Sequence, residues 1–262
     1  MPYKRGRPVI DLSPWFRIAS AWAFYLTIPV AMLINVLLHF TRYKHRWRLR
    51  GIRRAVTVSN HTTLLDPVKI SFLVLPRLIF QTMLEATVEF PVLGTYTRLL
   101  GGVPIPRGRT GYRKIVEICD RAFRYRRYLH FYPEGECFLF NQRIKEFHSG
   151  AFKVAAELDI PVIPLVTVFS AGPFGPWSPL GRSLPLETLV VLEPEHPGNH
   201  VRRDSKGEIT SESIKEFADA VRRKMQDEID RRGGSHDFFR GQMKRVKGLN
   251  DADTARRNTE GR

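Results

Sequence analysis

The chain is poor in sulfur and lacks the motifs that metals or nucleotides would require. Its 262 residues hold two cysteines, Cys119 and Cys137, too few for a disulfide framework or a four-ligand zinc site and in keeping with a reducing compartment. No histidine stands at zinc-ligand spacing from either cysteine, so no metal site is expected. A glycine-rich loop closing on lysine is missing, which argues against nucleotide hydrolysis, and no internal repeat is visible. Hydrophobic residues make up 43% and charged residues 26%, a balance that excludes both a disordered acidic protein and a polytopic membrane protein. The length suits one large domain with an appendage.

Acidic residues are scarce in two places. Residues 1–54 contain eleven basic residues and a single acid, Asp11, and residues 104–130 contain eight basic residues and two acids, whereas 55–103 and 131–262 are neutral. The formal charge of +16 is therefore two local blocks over a neutral background. No nucleic-acid recognition motif accompanies either block, so nucleic acid is not an expected partner.

The first block brackets residues 18–40, 23 residues without a formal charge of which 18 are apolar or aromatic. As a straight helix this run would be roughly 34 Å long, enough to cross a hydrocarbon core. Trp15 and Trp22 near one end, and Tyr43 and Trp47 beyond the other, resemble interfacial anchors. Arg42, Lys44, Arg46, Arg48, Arg50, Arg53 and Arg54 follow without an acid, a juxtamembrane run attracted to anionic lipid and favouring the cytoplasmic side. The run is too long for a cleaved signal peptide and no small-x-small site follows it. Pro29 divides it into two stretches of eleven residues, so a membrane-embedded helix and a kinked helical hairpin dipping into one leaflet both fit. Residues 1–54 are expected to form a membrane anchor, 55–232 an α/β domain, and 233–262 a polar, partly disordered tail.

Within the middle segment, short apolar runs predict strands at 55–59, 78–82, 102–105, 128–132, 161–169 and 189–193. Three- and four-residue apolar spacing predicts helices at 110–127, 149–158 and 211–232. Their alternation argues an α/β fold with a mixed sheet flanked by helices. Most of the second basic block reads as the solvated face of the helix over 110–127.

Directly after the first strand comes Asn60-His61-Thr62-Thr63-Leu64-Leu65-Asp66-Pro67. If the intervening residues turn into a helix, a carboxylate at 66 can meet the imidazole at 61, fix its tautomer and stabilise the imidazolium. That is the base and its orienter without a serine, so the nucleophile would be a substrate hydroxyl. The same residues would also arise if Asp66 merely capped the helix beginning at Pro67 and His61 were an ordinary loop residue.

Three further segments follow in order: Gly101-Gly102-Val103-Pro104-Ile105-Pro106-Arg107, Phe131-Tyr132-Pro133-Glu134-Gly135-Glu136 and Ile160-Pro161-Val162-Ile163-Pro164-Leu165. With the His61–Asp66 segment and a hydrophobic N-terminus, they resemble the four sequence blocks of the glycerolipid acyltransferase family, whose best-known members are the 1-acylglycerol-3-phosphate acyltransferases. The resemblance runs from about Val56 to Val168, with landmarks at Phe90-Pro91-Val92-Leu93-Gly94 and Gly150-Ala151. It implies acyl transfer from acyl-CoA or acyl carrier protein to a lysophospholipid hydroxyl in the membrane, with no other cofactor. His61 would be the general base and Asp66 its orienter. Asn60, Arg107, Glu134 and Gly135 would bind the acceptor, Arg107 through its phosphate. Two departures touch that acceptor pocket. Glu136 and Cys137 stand where the family carries a hydroxyl residue and a basic one, and Gln81, Thr82 and Met83 where many members carry a lysine. A different lysolipid or lipid hydroxyl is therefore an alternative acceptor, and a non-catalytic lipid-binding membrane protein is the alternative from another class.

Overall fold

The structure is a computed structural model and describes residues 9–90, 92–105, 115–119, 121–171 and 185–244. The run Ala-Val-Thr-Val-Ser forms β2 (Ala55–Ser59), and all five residues are buried. Three successive β-branched residues suit a pleated strand covered on both faces, the situation of a central parallel strand. β2 lies in the middle of a seven-stranded sheet, between β5 (Tyr128–Phe131) and β7 (Val162–Ser170). Beyond β5 come β3 (Ile79–Met83) and β4 (Gly102–Pro104); beyond β7 come β8 (Leu186–Val191) and β1 (Arg42–Lys44). Every neighbouring pair is parallel except β7 with β8, so the sheet is mixed. In register, Val58 faces Phe131 on one side and Pro164 on the other. The residues that follow β2 and β5 therefore emerge at one edge, the place where open α/β sheets bind ligands.

Each face of the sheet has its own core. One packs Val56, Val58, Leu129 and Phe131 under Phe152 of the Gly150–Glu157 helix and under Phe217, Val221 and Met225 of the Ser211–Arg231 helix. The other packs Ala55, Ile79, Tyr128 and Ile163 under α1 (Pro14–His39) and α2 (Asp66–Val74). Two short helices, α3 (Glu85–Glu89) and α4 (Leu93–Leu99), follow β3, and α1 lies against both α2 and α4. Gly94 opens this corner: a Cβ there would sit 2.1 Å from the Val88 carbonyl oxygen, so only glycine lets the two helices approach this closely.

Of the two forms open to the N-terminal run, the chain adopts the single helix. α1 continues through Pro29, which costs one intrahelical donor without breaking it. Ser20, Phe24, Ile28, Met32 and Asn35 recur at helical spacing and are buried. On the opposite side Trp15, Ile18, Trp22, Leu26, Val30, Leu33 and Leu37 are exposed, Trp15 by 83% and Trp22 by 66%.

The boundary expected at residue 54 cuts through the sheet, because Arg42–Lys44 pairs with Thr188–Val190 as the β1 edge. Three polar residues carry no periodicity, so this strand was invisible to pattern. The boundary at 233 shifts too: β9 (Gly241–Gln242) pairs antiparallel with β6 (Phe138–Leu139). The helix expected over 110–127 is observed at 115–119 and 121–122, its first part lying outside the described residues. Arg126, taken with that solvated face, is instead buried. It donates to the Ile79 carbonyl at 2.8 Å and lies 5.4 and 5.2 Å from the Phe24 and Phe80 ring centroids, so its polar partners and cation–π contacts replace water.

Candidate active site

β2 delivers the chain to the open edge of the sheet, and Asn60 is the first residue past it. Its Oδ1 accepts the Thr167 N–H at 2.9 Å and its Nδ2 donates to the Thr167 carbonyl at 3.1 Å. The buried amide is thus engaged with the β7 backbone rather than turned toward an acceptor, and it anchors the loop that follows.

His61 comes next, with its side chain 19% exposed. Its Nδ1 lies 2.8 Å from Asp66 Oδ2. A carboxylate only accepts, so Nδ1 carries the proton and Nε2 is left for a substrate. The ring stacks on Tyr132, centroids 4.0 Å apart at 23°. The backbone is held as well: the His61 N–H donates to Glu134 Oε1 at 3.1 Å, and its carbonyl accepts the Phe138 N–H at 2.9 Å.

Asp66 opens α2 and is buried. Its Oδ2 also accepts the backbone N–H groups of Thr62 and Thr63 at 2.6 and 2.9 Å. Its Oδ1 accepts the Thr63 hydroxyl at 2.8 Å and meets Lys69 Nζ at 2.6 Å. Burial alone would favour the protonated acid, but the Lys69 charge and the His61 hydrogen bond outweigh it and hold the group well below the usual carboxylate range. The five-residue spacing works because the loop folds back on the helix start, with the Asp66 N–H donating to the Thr63 carbonyl at 3.2 Å.

Glu134 is buried with its carboxylate accepting the N–H groups of His61 and Lys145, the latter at 3.0 Å. Burial pushes its pKa up to about 7 against those two donors. Gly135 turns the chain at φ +73°, where a Cβ would lie 2.9 Å from the His148 ring. Both residues therefore support the His61 loop. Arg107 lies outside the described residues. Cys137 is buried, and burial raises its thiol to about 12, which removes it as a nucleophile.

Four side chains at the site escaped the sequence reading: Tyr132 beneath the imidazole, Lys69 and Glu187 behind Asp66, and His130. His130 is fully buried between the Thr57 and Ser59 hydroxyls at 2.9 and 3.2 Å. Lys69 could have been found, since three residues after Asp66 is one helical turn. Among the described residues no cluster of three or more His, Cys, Asp or Glu is placed to hold a metal.

A loop histidine oriented by a buried carboxylate, in a sheet of this topology, is the setting in which the comparisons fall. Residues 41–168 match the family model described as Acyltransferase, a stretch that runs from the start of β1 into β7 and includes His61, Asp66, Glu134 and Gly135. The chain carries an acyltransferase-family domain. Its fold is similar to that of the 1-acyl-sn-glycerophosphate (LPA) acyltransferase PlsC from Thermotoga maritima, with a TM-score of 0.58 at 17% identity, covering 86% of this chain and 85% of that one. At that identity the likeness concerns the fold. A search of curated proteins finds no match. The acyltransferase domain thus has a mixed sheet flanked by helices, preceded by an apolar helix.

Proposed function

We propose that this acyltransferase is membrane-associated and moves a fatty acyl group from acyl-CoA or acyl carrier protein to the hydroxyl of a lysophospholipid, most readily 1-acylglycerol-3-phosphate, giving phosphatidic acid. The observation that carries this reading is the His61–Asp66 pair at 2.8 Å with no serine or thiolate nucleophile beside it among the described residues. In the first step His61 Nε2 takes the proton of the acceptor hydroxyl as its oxygen attacks the thioester carbonyl. The tetrahedral intermediate then collapses, the C–S bond breaks, and the imidazolium returns the proton to the leaving thiolate. Asp66 stabilises the imidazolium between these steps. The acceptor's phosphate is assigned to Arg107, three residues after β4 ends at Pro104, because a guanidinium binds phosphate bidentately and fixes the neighbouring hydroxyl.

Acceptor identity is tested with a panel. Lysophosphatidic acid is expected to exceed lysophosphatidylcholine, -ethanolamine and -glycerol at least ten-fold in kcat/KM. A preference for another lysolipid would move the assignment to that acceptor. One observation favours keeping such acceptors in the panel: Gln81, in the 81–83 stretch where many members of the family carry a lysine, is tied to the Pro67 carbonyl and the Ser71 hydroxyl at 2.6 and 2.8 Å.

Asn60 is read as a positioning residue. Asn60→Ala removes the partner of the buried Thr167 N–H and is expected to cost about 1–3 kcal/mol in urea unfolding, with unchanged KM for the acceptor.

Membrane attachment is assigned to the outer face of α1, in one leaflet on the cytoplasmic side. The inner face of the helix packs on the domain along its length, so only the exposed apolar stripe is available to lipid. Trp15→Ser with Trp22→Ser and Leu26→Ser should lower vesicle partitioning in sedimentation by ten-fold or more while the protein stays folded. Unchanged partitioning would remove this face as the attachment.

A further inference from the structure

The His61–Asp66 pair does not end at Asp66. The Lys69 ammonium that meets Asp66 Oδ1 also pairs with Glu187 of β8, and all three side chains are 1% exposed or less. Glu187 Oε2 accepts the Thr41 hydroxyl at 2.9 Å, and Thr41 Oγ1 accepts Asn35 Nδ2 of α1 at 2.6 Å. One run of buried polar groups thus leads from the loop imidazole to the N-terminal helix.

Buried ions are costly, and a well-packed apolar trio of the same volume is often as stable or more so. Packing therefore gives no reason for these three charges, whereas the chemistry of the site does. Asp66 must present one oxygen to Nδ1 and keep its other oxygen still. A lysine on Oδ1 achieves that. Left alone, however, its positive charge would oppose protonation of the imidazole, the event that base catalysis requires. A second carboxylate behind the lysine cancels that field while leaving its grip on Asp66 intact.

We propose that Lys69 and Glu187 form a charge-cancelling clamp that positions Asp66, and through it His61, for the acyl transfer on which this inference rests. Two facts agree with it. The Asp66 and Glu187 charges overcome burial and keep the Lys69 ammonium protonated, with its pKa above the ordinary lysine value. The remaining titratable groups around the clamp do not duplicate it. Tyr43, whose hydroxyl donates to the Lys69 carbonyl at 3.1 Å, stays neutral through burial. His130, Tyr132 and Cys137 are held neutral by burial as well. Glu134 faces the His61 backbone N–H.

The net charge of the Asp66, Lys69 and Glu187 trio is −1. With both carboxylates ionised, Lys69→Met makes it −2 and should raise the pH at which His61 takes up its proton by about one unit. Glu187→Gln makes it neutral and should lower that pH by a similar amount. Lys69→Met with Glu187→Gln restores −1 and should return the midpoint to within a few tenths of the parent value. Lys69→Arg should leave it unchanged. The midpoint is read by NMR titration of 15N-histidine-labelled full-length protein, with His61→Gln identifying the resonance, and in parallel from the acid limb of kcat/KM. A purely structural role would lower stability and kcat without moving either midpoint in opposite directions. Folded variants, checked by circular dichroism, that all titrate with the parent would overturn the proposal. Should Lys69→Met not fold, Glu187→Gln and the charge-restoring double variant decide it. Absence of acyl transfer in the parent protein would instead remove the function proposed above, a separate result, because the NMR midpoints do not depend on turnover.

Discussion

His61→Ala is expected to lower kcat/KM for acyl transfer by about 10²–10⁴-fold, the usual worth of a positioned general base, while the protein remains folded and membrane-bound. Neither His130 nor Cys137 is placed to take over. His130 is buried with both ring nitrogens engaged by Thr57 and Ser59, and the Cys137 thiol is buried and protonated. Asp66→Asn should cost a comparable amount, since an amide can donate to Nδ1 and thereby favour the wrong imidazole tautomer. Because the two residues act as one unit, the double variant should be little worse than either single one. A His61→Ala protein that keeps more than about a tenth of the parent rate would remove the assigned base.

The second large effect concerns stability against pH, where two buried groups act with opposite sign. Burial, aided by the nearby His61, lowers His130 from 6.5 to about 3. Between those values the unfolded chain binds a proton that the folded protein refuses, so stability is lost as pH falls through the window. Glu134 is raised from 4.5 to about 7 by burial. Between those values the folded protein holds a proton that the unfolded chain releases, so this contribution grows as pH falls from 7 to 4.5. Each amounts to roughly 2 kcal/mol between pH 6.5 and 4.5, and the two nearly cancel. Below about pH 4 Glu134 no longer compensates, and Asp66, whose folded pKa is depressed, adds its own loss. The parent protein should therefore be flat in urea-unfolding free energy from pH 6.5 to 4.5 and fail steeply below. Glu134→Gln removes one side of the balance and should lose about 2 kcal/mol over the same interval. Parallel slopes for parent and variant would show that Glu134 does not carry a raised pKa.

Much of this arrangement was legible in the sequence because it is local. The valine-rich run at 55–59 reads as a buried strand, and four residues between a histidine and an aspartate are enough for a turn into a helix to bring them together. The amphipathic spacing of Ile214, Phe217, Val221 and Met225 likewise gives the long C-terminal helix its inward face. What escaped is long-range or too short to carry a period. Glu187 lies 118 residues from the lysine it pairs with, and nothing in its own strand marks it as part of the site. β1, β6 and β9 have three residues or fewer, so alternation cannot announce them. Yet β6 lines the site: its Phe138 donates to the His61 carbonyl, and β9 braces its other side. Asn60 and Glu134 were expected to face the acceptor because they flank the motif histidine and glycine. Their hydrogen bonds go to backbone instead, which sequence adjacency cannot reveal. For α1 the composition was plain, but its orientation was not. Only the packing of Phe24 and Ile28 on the sheet shows which half of an almost uniformly apolar helix is left for lipid.

The central claim, base-catalysed acyl transfer from a thioester to a lipid hydroxyl, is tested most directly by following thiol release from acyl-CoA and from acyl carrier protein by the full-length protein in lipid vesicles, with and without lysophosphatidic acid. The account predicts release that depends on the lysolipid, matches phosphatidic acid formed mole for mole, and disappears in His61→Ala. Thiol release that ignores the acceptor, or no release with either donor across the lysolipid panel, would contradict it.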